Sequence, residues 1–436
     1  MPKHTQEIRD PIHNFVRISS DEIAAINSRP FQRLRHIHQL ALTYLIYPGA
    51  THRRFEHSLG VMELAGRVFD IITRDENRHE ACRAIFPHED GLRHWRKTVR
   101  MAALFHDLGH LPFSHAAEEQ LLPEGKLHEW LTVQVLRSDE MREIFRKMTP
   151  QPDPDQIAKV AIGERKWTKW FGQAGDFDAW DLLMTEIVTG DAFGVDRMDY
   201  LLRDSHHAGV AYGRFDHYRL IDTLRILPHP ETQQPRIGIQ KGGLHSAEAL
   251  QLARLFMFLQ LYFHKTRCIY DIHLREFLVA WLKAYPTDVE NHLALTDNEV
   301  LKALAAAALS EGSEGHDAAV RIMKRQHFRM VYEQNPEDQR VNPKAVEAIG
   351  EALATALGPE SVRSRIEPGN PQQINFPILR ENSEISGSIV DSSIYADFKP
   401  PSAGFVYAAP SKREEAKQWL TSNRERVIEQ TTEETS

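Results

Sequence analysis

Apolar residues recur at three- and four-residue spacing through most of the first three hundred positions, and this period constrains the fold more than any other feature. The stretches "SLGVMELAGRVFDIITR", "WRKTVRMAALFHDLGH" and "VLKALAAAALSEG" each present one apolar helical face. A longer stretch, "SAEALQLARLFMFLQLYFHKTRCIYDIHLREFLVAWLKAY", has room for two helices or one bent helix. Pro and Gly separate these segments at "YPGATH", "HLPF" and "LLPEGK". One break differs in kind. "RILPHPETQQPRIGIQKGGLHS" carries prolines, a β-like "RIGI" and then glycines, which predicts a small hairpin inserted between helical blocks. From about Pro343 the pattern changes. "KAVEAIGEALATAL" and "KREEAKQWLTSNRERVIEQ" predict helices, whereas "QINFPIL", "GSIVD" and "AGFVYAA" predict short strands. The expected fold is mostly α: a helical core over residues 1–335 with the inserted hairpin, then a small α+β lobe over 336–436. The end of that lobe, "TTEETS", is expected to lack fixed structure. A chain of 436 residues is too long for one compact core, which agrees with a core and an appendage.

Composition narrows the function classes. A net charge of −8 gives no support to single-stranded nucleic acid or any general polyanion as a partner, so phosphate recognition has to come from local arginines. Cys82 and Cys268 are the only cysteines, and their distance in the chain reads as reduced and intracellular. "MPKHTQEIRDPIHNF" has no apolar core segment, so no signal peptide is expected. No apolar run is long enough to span a bilayer, so no membrane partner is expected. The expected location is the cytoplasm.

The chemistry concentrates in "LFHDLGHLPFSH", Leu104 to His115, at the end of an apolar helix. Adjacent His106 and Asp107 are weak evidence by themselves, because such pairs most often cap helices or face solvent. Their company changes the reading. "YPGATHRRFEHSLGV" places His57 at a helix start, and "FGVDRMDYLLRDSHHAGV" places Asp196 at another. Taken singly, His57 reads as a satisfied core histidine and Asp196 as a helix-starting or ion-paired carboxylate. Together, His57, His106, Asp107 and Asp196 make four ligands from three helices, which suits a divalent first-row cation inside a helical bundle.

These three stretches, with "DPIHNFVRIS", "FQRLRHIHQL" and "RLFMFLQLYFHKTR", resemble the HD-domain superfamily of metal-dependent phosphohydrolases. Within it they resemble the dNTP triphosphohydrolase branch, which includes bacterial dGTPases and the SAM-and-HD-domain dNTPase. The resemblance covers roughly residues 8 to 280, with the HD motifs at about 50–210. It implies an HD-domain helical bundle with one or two metal ions (Mn, Fe, Zn, Ni or Mg), and Mg²⁺ travelling with the triphosphate. The implied reaction converts a dNTP to deoxynucleoside and intact triphosphate by attack at the α-phosphorus. The implied ligands are again His57, His106, Asp107 and Asp196. The acid–base histidine of the family falls on His115, its acidic helper on Glu118, and a second active-site histidine on His128; His110 reads as structural or as support for the metal ligands. Phosphate contacts fall on Arg54, Arg197, Arg254 and Lys265. Tyr200 and Asp204 correspond to sugar contacts, Gln39 and Leu40 to the sugar 3′ edge, and Tyr262 to packing against sugar or base.

The resemblance also implies a homo-oligomer and a nucleotide activator, and here the sequence departs from the pattern. Asn27 stands near "INSRPFQRLR" where the regulated branch has an acid, and only Arg9 lies just ahead of "DPIH", although Arg35 and Gln32 are retained. Activation by a guanine nucleotide is therefore in doubt. Two alternatives remain open. One is another HD phosphoesterase, acting on a nucleoside monophosphate, a cyclic nucleotide or a single-strand nucleic acid end. The other is a nucleotide sensor without turnover, which would not need His115 and Glu118.

Overall fold

The computed structural model describes residues 5–173, 175–367, 369 and 373–433. A hairpin of β1 (Thr5–Asp10) and β2 (Asn14–Ser19) comes first. The helices α1 (Arg54–Ile72), α2 (Glu89–Phe105), α3 (His128–Leu136), α4 (Pro154–Ile162), α5 (Ala179–Thr189) and α6 (Val195–Ala208) follow. Next come β3 (Leu224–Pro228), β4 (Pro235–Gln240), α7 (Leu244–Met257), α8 (Lys265–Leu282) and α9 (Asp297–Ala307). The remainder holds β5 (Arg329–Glu333), α10 (Ala345–Leu357), β6 (Val362–Glu367), β7 (Pro377–Leu379), β8 (Ile385–Gly387), β9 (Ala403–Ala408) and α11 (Arg413–Glu433). Short helical turns fill many of the connections. No helix among the described residues is long and apolar enough to cross a membrane.

The chain forms two compact units that interleave along the sequence. The first takes residues 1–254, 284–298 and 372–398; the second takes 255–283, 299–371 and 399–436. In the first unit α1 is the central helix. Its apolar residues are buried on every side, from Phe55 and Leu59 through Met62 and Leu64 to Phe69 and Ile72. Arg53 caps it, with its N–H donating to Glu56 Oε1 at 2.8 Å. Helix α1 packs on α2 and α6, α2 on α4, and α4 on α5. The last turns of α2, from Met101 to Phe105, have no solvent exposure, so the helix drives straight into the core and delivers His106 and Asp107 at its end.

The expected hairpin is present as antiparallel β3 and β4, but it is half of a larger sheet. Strand β7 adds parallel to β4, and β8 adds antiparallel to β7, giving the order β3-β4-β7-β8. The expected strand "GSIVD" is a correction. Strand β8 stops at Gly387, and Ser388–Asp391 forms one helical turn. That turn presents Asp391 to Arg380, to Ser386 Oγ at 2.9 Å and to Lys241 Nζ at 3.2 Å, while Val390 stays exposed. Gathering those donors outweighs the β-preference of Ile389 and Val390. The long apolar stretch is broken by a π-helical turn at Phe258–Tyr262 between α7 and α8.

The second unit holds the antiparallel sheet β5-β9-β6. Alternation along β9 explains its two faces. Val406 and Ala408 pack with Ile349 and Leu353 of α10 and Leu420 of α11. Phe405 and Tyr407 pack with Ile269 and Ile272 of α8. Helix α11 reaches Glu433, three residues into the tail expected to lack structure; the rest of "TTEETS" lies outside the described residues.

One glycine governs the approach of α6 to α1. A Cβ on Gly60 would lie 2.0 Å from Asp199 Oδ1 and 2.4 Å from Arg203 Nη2. Replacement of a helical glycine by alanine normally stabilises by about 1 kcal/mol. Gly60→Ala is instead expected to destabilise the protein by about 1–3 kcal/mol, because both neighbours are buried and fully paired. Denaturant unfolding checks this; a variant at least as stable as the parent would show slack between the two helices.

Candidate metal centre and acid–base cluster

Three helices bring the four expected ligands to one point. His57 lies in the first turns of α1, His106 and Asp107 follow the end of α2, and Asp196 is in the first turn of α6. Ligand atoms of His57, His106 and Asp107 all lie within 4.8 Å of one another. Asp196 Oδ1 is 3.1 Å from His57 Nε2 and 3.5 Å from His106 Nε2. His106 Nε2 is 3.2 Å from Asp107 Oδ1, and His57 Nε2 is 3.8 Å from Asp107 Oδ2. Atoms bound at about 2.1 Å to a common octahedral ion stand about 3 Å apart when adjacent and about 4 Å apart when opposite. These spacings fit that pattern.

Hydrogen bonding sets both rings for ligation. His106 Nδ1–H donates to Ala103 O at 2.8 Å, which leaves the Nε2 lone pair aimed inward, buried and without a hydrogen-bond partner. His57 Nδ1 donates to Asp199 Oδ2 at 2.8 Å and so turns Nε2 toward Asp196. Burial opposes the charged form of His57, but Asp196 and Asp199 outweigh it and raise the group to about 10. A metal bound at Nε2 would take the place of the proton on this ring. Burial would push Asp107 up, yet Arg54, His106 and His110 together hold it well below the carboxylate range.

The second group lies beside the first. His110 Nε2 is 3.1 Å from Asp107 Oδ1, and its ring stacks on His128 with centroids 3.7 Å apart. Ring nitrogens of His110, His115 and His128 fall within 4.8 Å of one another. Glu118 accepts from both outer histidines: His115 Nδ1 at 2.9 Å and His128 Nδ1 at 2.7 Å. It also accepts the His128 backbone N–H. Burial works against its charge, but His128 and His115 hold Glu118 far below its ordinary range. His115 has 64% of its side chain exposed, whereas His110 and His128 are buried, so His115 is the member open to a ligand. It does not sit on a helix with Glu118; the two meet because a turn ahead of Glu118–Leu121 folds back.

The expected phosphate and sugar contacts are distributed unevenly. Arg54 is buried; one guanidinium nitrogen donates to Asp107, and two donate to Ser114 Oγ at 2.9 and 2.7 Å. Arg197 is tied to the carbonyls of Gly190 and Asp191, with its Nε buried and unpartnered. Tyr200 is raised by burial and lowered by Arg197 and Arg254, which places the three side chains in one electrostatic neighbourhood. Asp204 pairs with His52 Nε2 at 2.7 Å. Leu40 is buried, and Gln39 Oε1 is buried without a partner. Tyr262 and Lys265 belong to the second unit, Tyr262 buried and Lys265 exposed.

Several contributors were not singled out in the sequence. Asp199 also accepts from His13 Nε2 at 2.6 Å and from Arg203 at 2.8 and 2.9 Å. Arg203 continues to Asp10 Oδ2 at 2.8 Å. Glu129 faces His128 Nε2 at 3.3 Å and pairs with Lys166. The spacing Asp196, Asp199, Arg203 was a usable signal, because it puts all three on one helical face.

Residues 54–204 match the HD domain family, and residues 215–358 match the HD associated region. The chain is 35% identical to the uncharacterized protein YwfO of Bacillus subtilis, over 59% of this chain and 51% of that protein. It is 28% identical to the deoxynucleoside triphosphate triphosphohydrolase SAMHD1 of Gallus gallus, over 77% of this chain and 57% of that protein. The chain thus spans about half the length of the curated relatives it matches. A crystal structure of a hypothetical protein from Aquifex aeolicus superposes with a TM-score of 0.76 at 31% identity, covering 96% of this chain and 100% of that one.

Outer carboxylates that orient a ligating histidine are typically worth 10–100-fold in metal affinity. Asp199→Asn is therefore expected to weaken Mn²⁺ binding by about that factor. Calorimetric titration checks it, and unchanged affinity would show that His57 holds its orientation without the carboxylate.

Proposed function

The chain belongs to the HD-domain family, and from that premise we propose that it is a metal-dependent phosphohydrolase that converts deoxynucleoside triphosphates to deoxynucleoside and inorganic triphosphate. The observation that carries the reading is the junction of the two groups: Asp107 of the proposed ligand set contacts His110, which stacks on His128 within the acid–base cluster. A binding module would need neither the cluster nor its placement. A divalent cation held by His57, His106, Asp107 and Asp196 would supply Lewis-acid polarisation of the α-phosphate and activation of water.

The protein's own residues do the rest. His115 gives a proton to the departing 5′-oxygen. Glu118 holds His115 through Nδ1, which leaves Nε2 for that transfer. His128, held by the same carboxylate and by Glu129, keeps Glu118 charged. Arg54 balances Asp107 and would meet phosphate oxygens beside it; Arg197 and Arg254 add positive charge beside Tyr200. Tyr200, with Gln39 and Leu40 at the 3′ edge, would contact the sugar, and a close fit there would favour deoxyribose over ribose.

Incubation with each dNTP and Mn²⁺ or Mg²⁺ should yield deoxynucleoside and triphosphate on ion-exchange chromatography, and EDTA should abolish it. Release of orthophosphate, or turnover only of monophosphates or cyclic nucleotides, would replace this reading with another HD phosphoesterase.

General acid–base groups are typically worth about 10²–10⁴ in rate. His115→Ala should bind metal and dNTP nearly normally yet turn over at least ~100-fold more slowly. Glu118→Ala should lose less, and the two losses should not add because both act on one proton transfer. Single-turnover kinetics check this. A substrate with a better 5′ leaving group should partly rescue His115→Ala; equal loss with good and poor leaving groups would make His115 a binding residue.

A further inference from the structure

The turn that delivers His115 is unusual. Phe113 and Ser114, neither of them glycine, are consecutive residues in the left-handed region, with φ of 55° and 64°. Such pairs are sparsely populated and persist only where the surroundings hold them. The holder is Asp297, which lies 184 residues along the chain from Phe113.

Asp297 is 1% exposed, and both of its oxygens are engaged. Oδ1 accepts the Phe113 backbone N–H at 2.6 Å. Oδ2 accepts the His38 backbone N–H at 2.7 Å and contacts His38 Nδ1 at 2.6 Å. The His38 ring stacks against Phe113, with centroids 5.7 Å apart and planes 11° apart. Ser114 Oγ closes the circuit by donating to His38 O at 3.3 Å while it accepts from Arg54. One carboxylate thus clamps the strained turn two residues before His115 to the segment that leads into Gln39 and Leu40.

Asp297 itself is well anchored. The segment 284–298 is fastened to the first unit at three further points. The Tyr285 N–H donates to Leu121 O at 3.1 Å, and His292 Nε2 contacts Leu108 O at 3.1 Å. Arg33 donates to Leu295 O at 3.0 and 2.7 Å and to His110 O at 2.9 Å.

We propose that Asp297 is a positioning residue for the reaction: it holds the Phe113–Ser114 turn in its left-handed form and so fixes the direction in which His115 meets the leaving oxygen. This rests on the reading of His115 as the proton donor. None of the four proposed metal ligands touches Asp297, so its effect should spare the metal.

The test is a double-mutant cycle between Asp297→Asn and His115→Ala, measured on the dNTP turned over fastest. Asparagine keeps the size and one acceptor but cannot accept at both His38 and Phe113. Misplacement of a reacting group by about 1 Å can cost on the order of 100-fold. Asp297→Asn should keep Mn²⁺ affinity within about threefold and lower kcat at least ~10-fold, with a smaller change in KM. In the His115→Ala background it should cost less than about twofold, because the residue through which it acts is gone. A full additional loss in that background, or an unchanged kcat in the single variant, would overturn the proposal. If His115→Ala alone costs nothing, the proton-donor reading falls instead, which is a separate outcome. Should Asp297→Asn fail to fold, His38→Gln removes the ring contact and keeps the carboxylate; it should show the same non-additivity at smaller amplitude, and additivity there would equally overturn the proposal.

Discussion

Asp199 is a carboxylate without access to water, and it accepts from three partners drawn from different parts of the chain: His13, His57 and Arg203. Arg203, equally buried, reaches on to Asp10. Breaking a buried ion pair by removing one partner typically costs about 3–5 kcal/mol, because the other charge stays behind uncompensated. That is a large share of the stability of a typical domain. The turn between β1 and β2, helix α1 and helix α6 are therefore held to one mutual arrangement. Gly60 permits the close approach that this arrangement needs. The position of His57 is a consequence, since the same carboxylate that satisfies Arg203 also aims its ring.

Electrostatics divide the site into two ends. At one, His57 and His106 are raised by surrounding carboxylates despite burial. At the other, His128 is raised against burial by Glu129 and Glu118. Between them His110 is pushed well below its ordinary value, by burial first and then by Arg54 and His128. A neutral imidazole in the middle adds no further positive charge between the two ends. It can still contact Asp107 through one nitrogen and stack on His128 with its face. The stacking distance of 3.7 Å would be costly between two imidazolium rings.

Much of this was legible in the sequence, for identifiable reasons. His57 and Asp196 lie in the first turns of α1 and α6, and His106 and Asp107 directly follow α2; the apolar period of these helices is strong, so the four places could be inferred from local pattern. His115 and Glu118 are three residues apart, a spacing that reads as one turn of helix; they do meet, but through a non-helical turn ahead of Glu118. The N-terminal hairpin was not read, because "TQEIRD" and "NFVRIS" are too polar to alternate clearly and are settled by docking Asp10 and His13 onto α6. Strand β7 was expected, but its partner was not: Ile239 and Ile378 pair in parallel across a separation that no local signal reports. "GSIVD" misled because β-branched residues were weighed without the donors that gather on Asp391. Asp297 gave no sign at all, since its partners His38 and Phe113 are 259 and 184 residues away.

The side-chain contacts around the site that escaped notice centre on buried carboxylates, Asp199 and Asp297, each with several fixed donors that a change of register would break. Helix α6 could slide by one turn over α1 and still present the same face, since residues three and four apart share it. The same slip would carry Asp196 and Asp199 off the two nitrogens of His57 and leave Arg203 facing apolar surface. Apolar packing accounts for the existence of the bundle. The buried carboxylates tie that bundle to one register, and they do so where they fix the His57 ring and the turn ahead of His115.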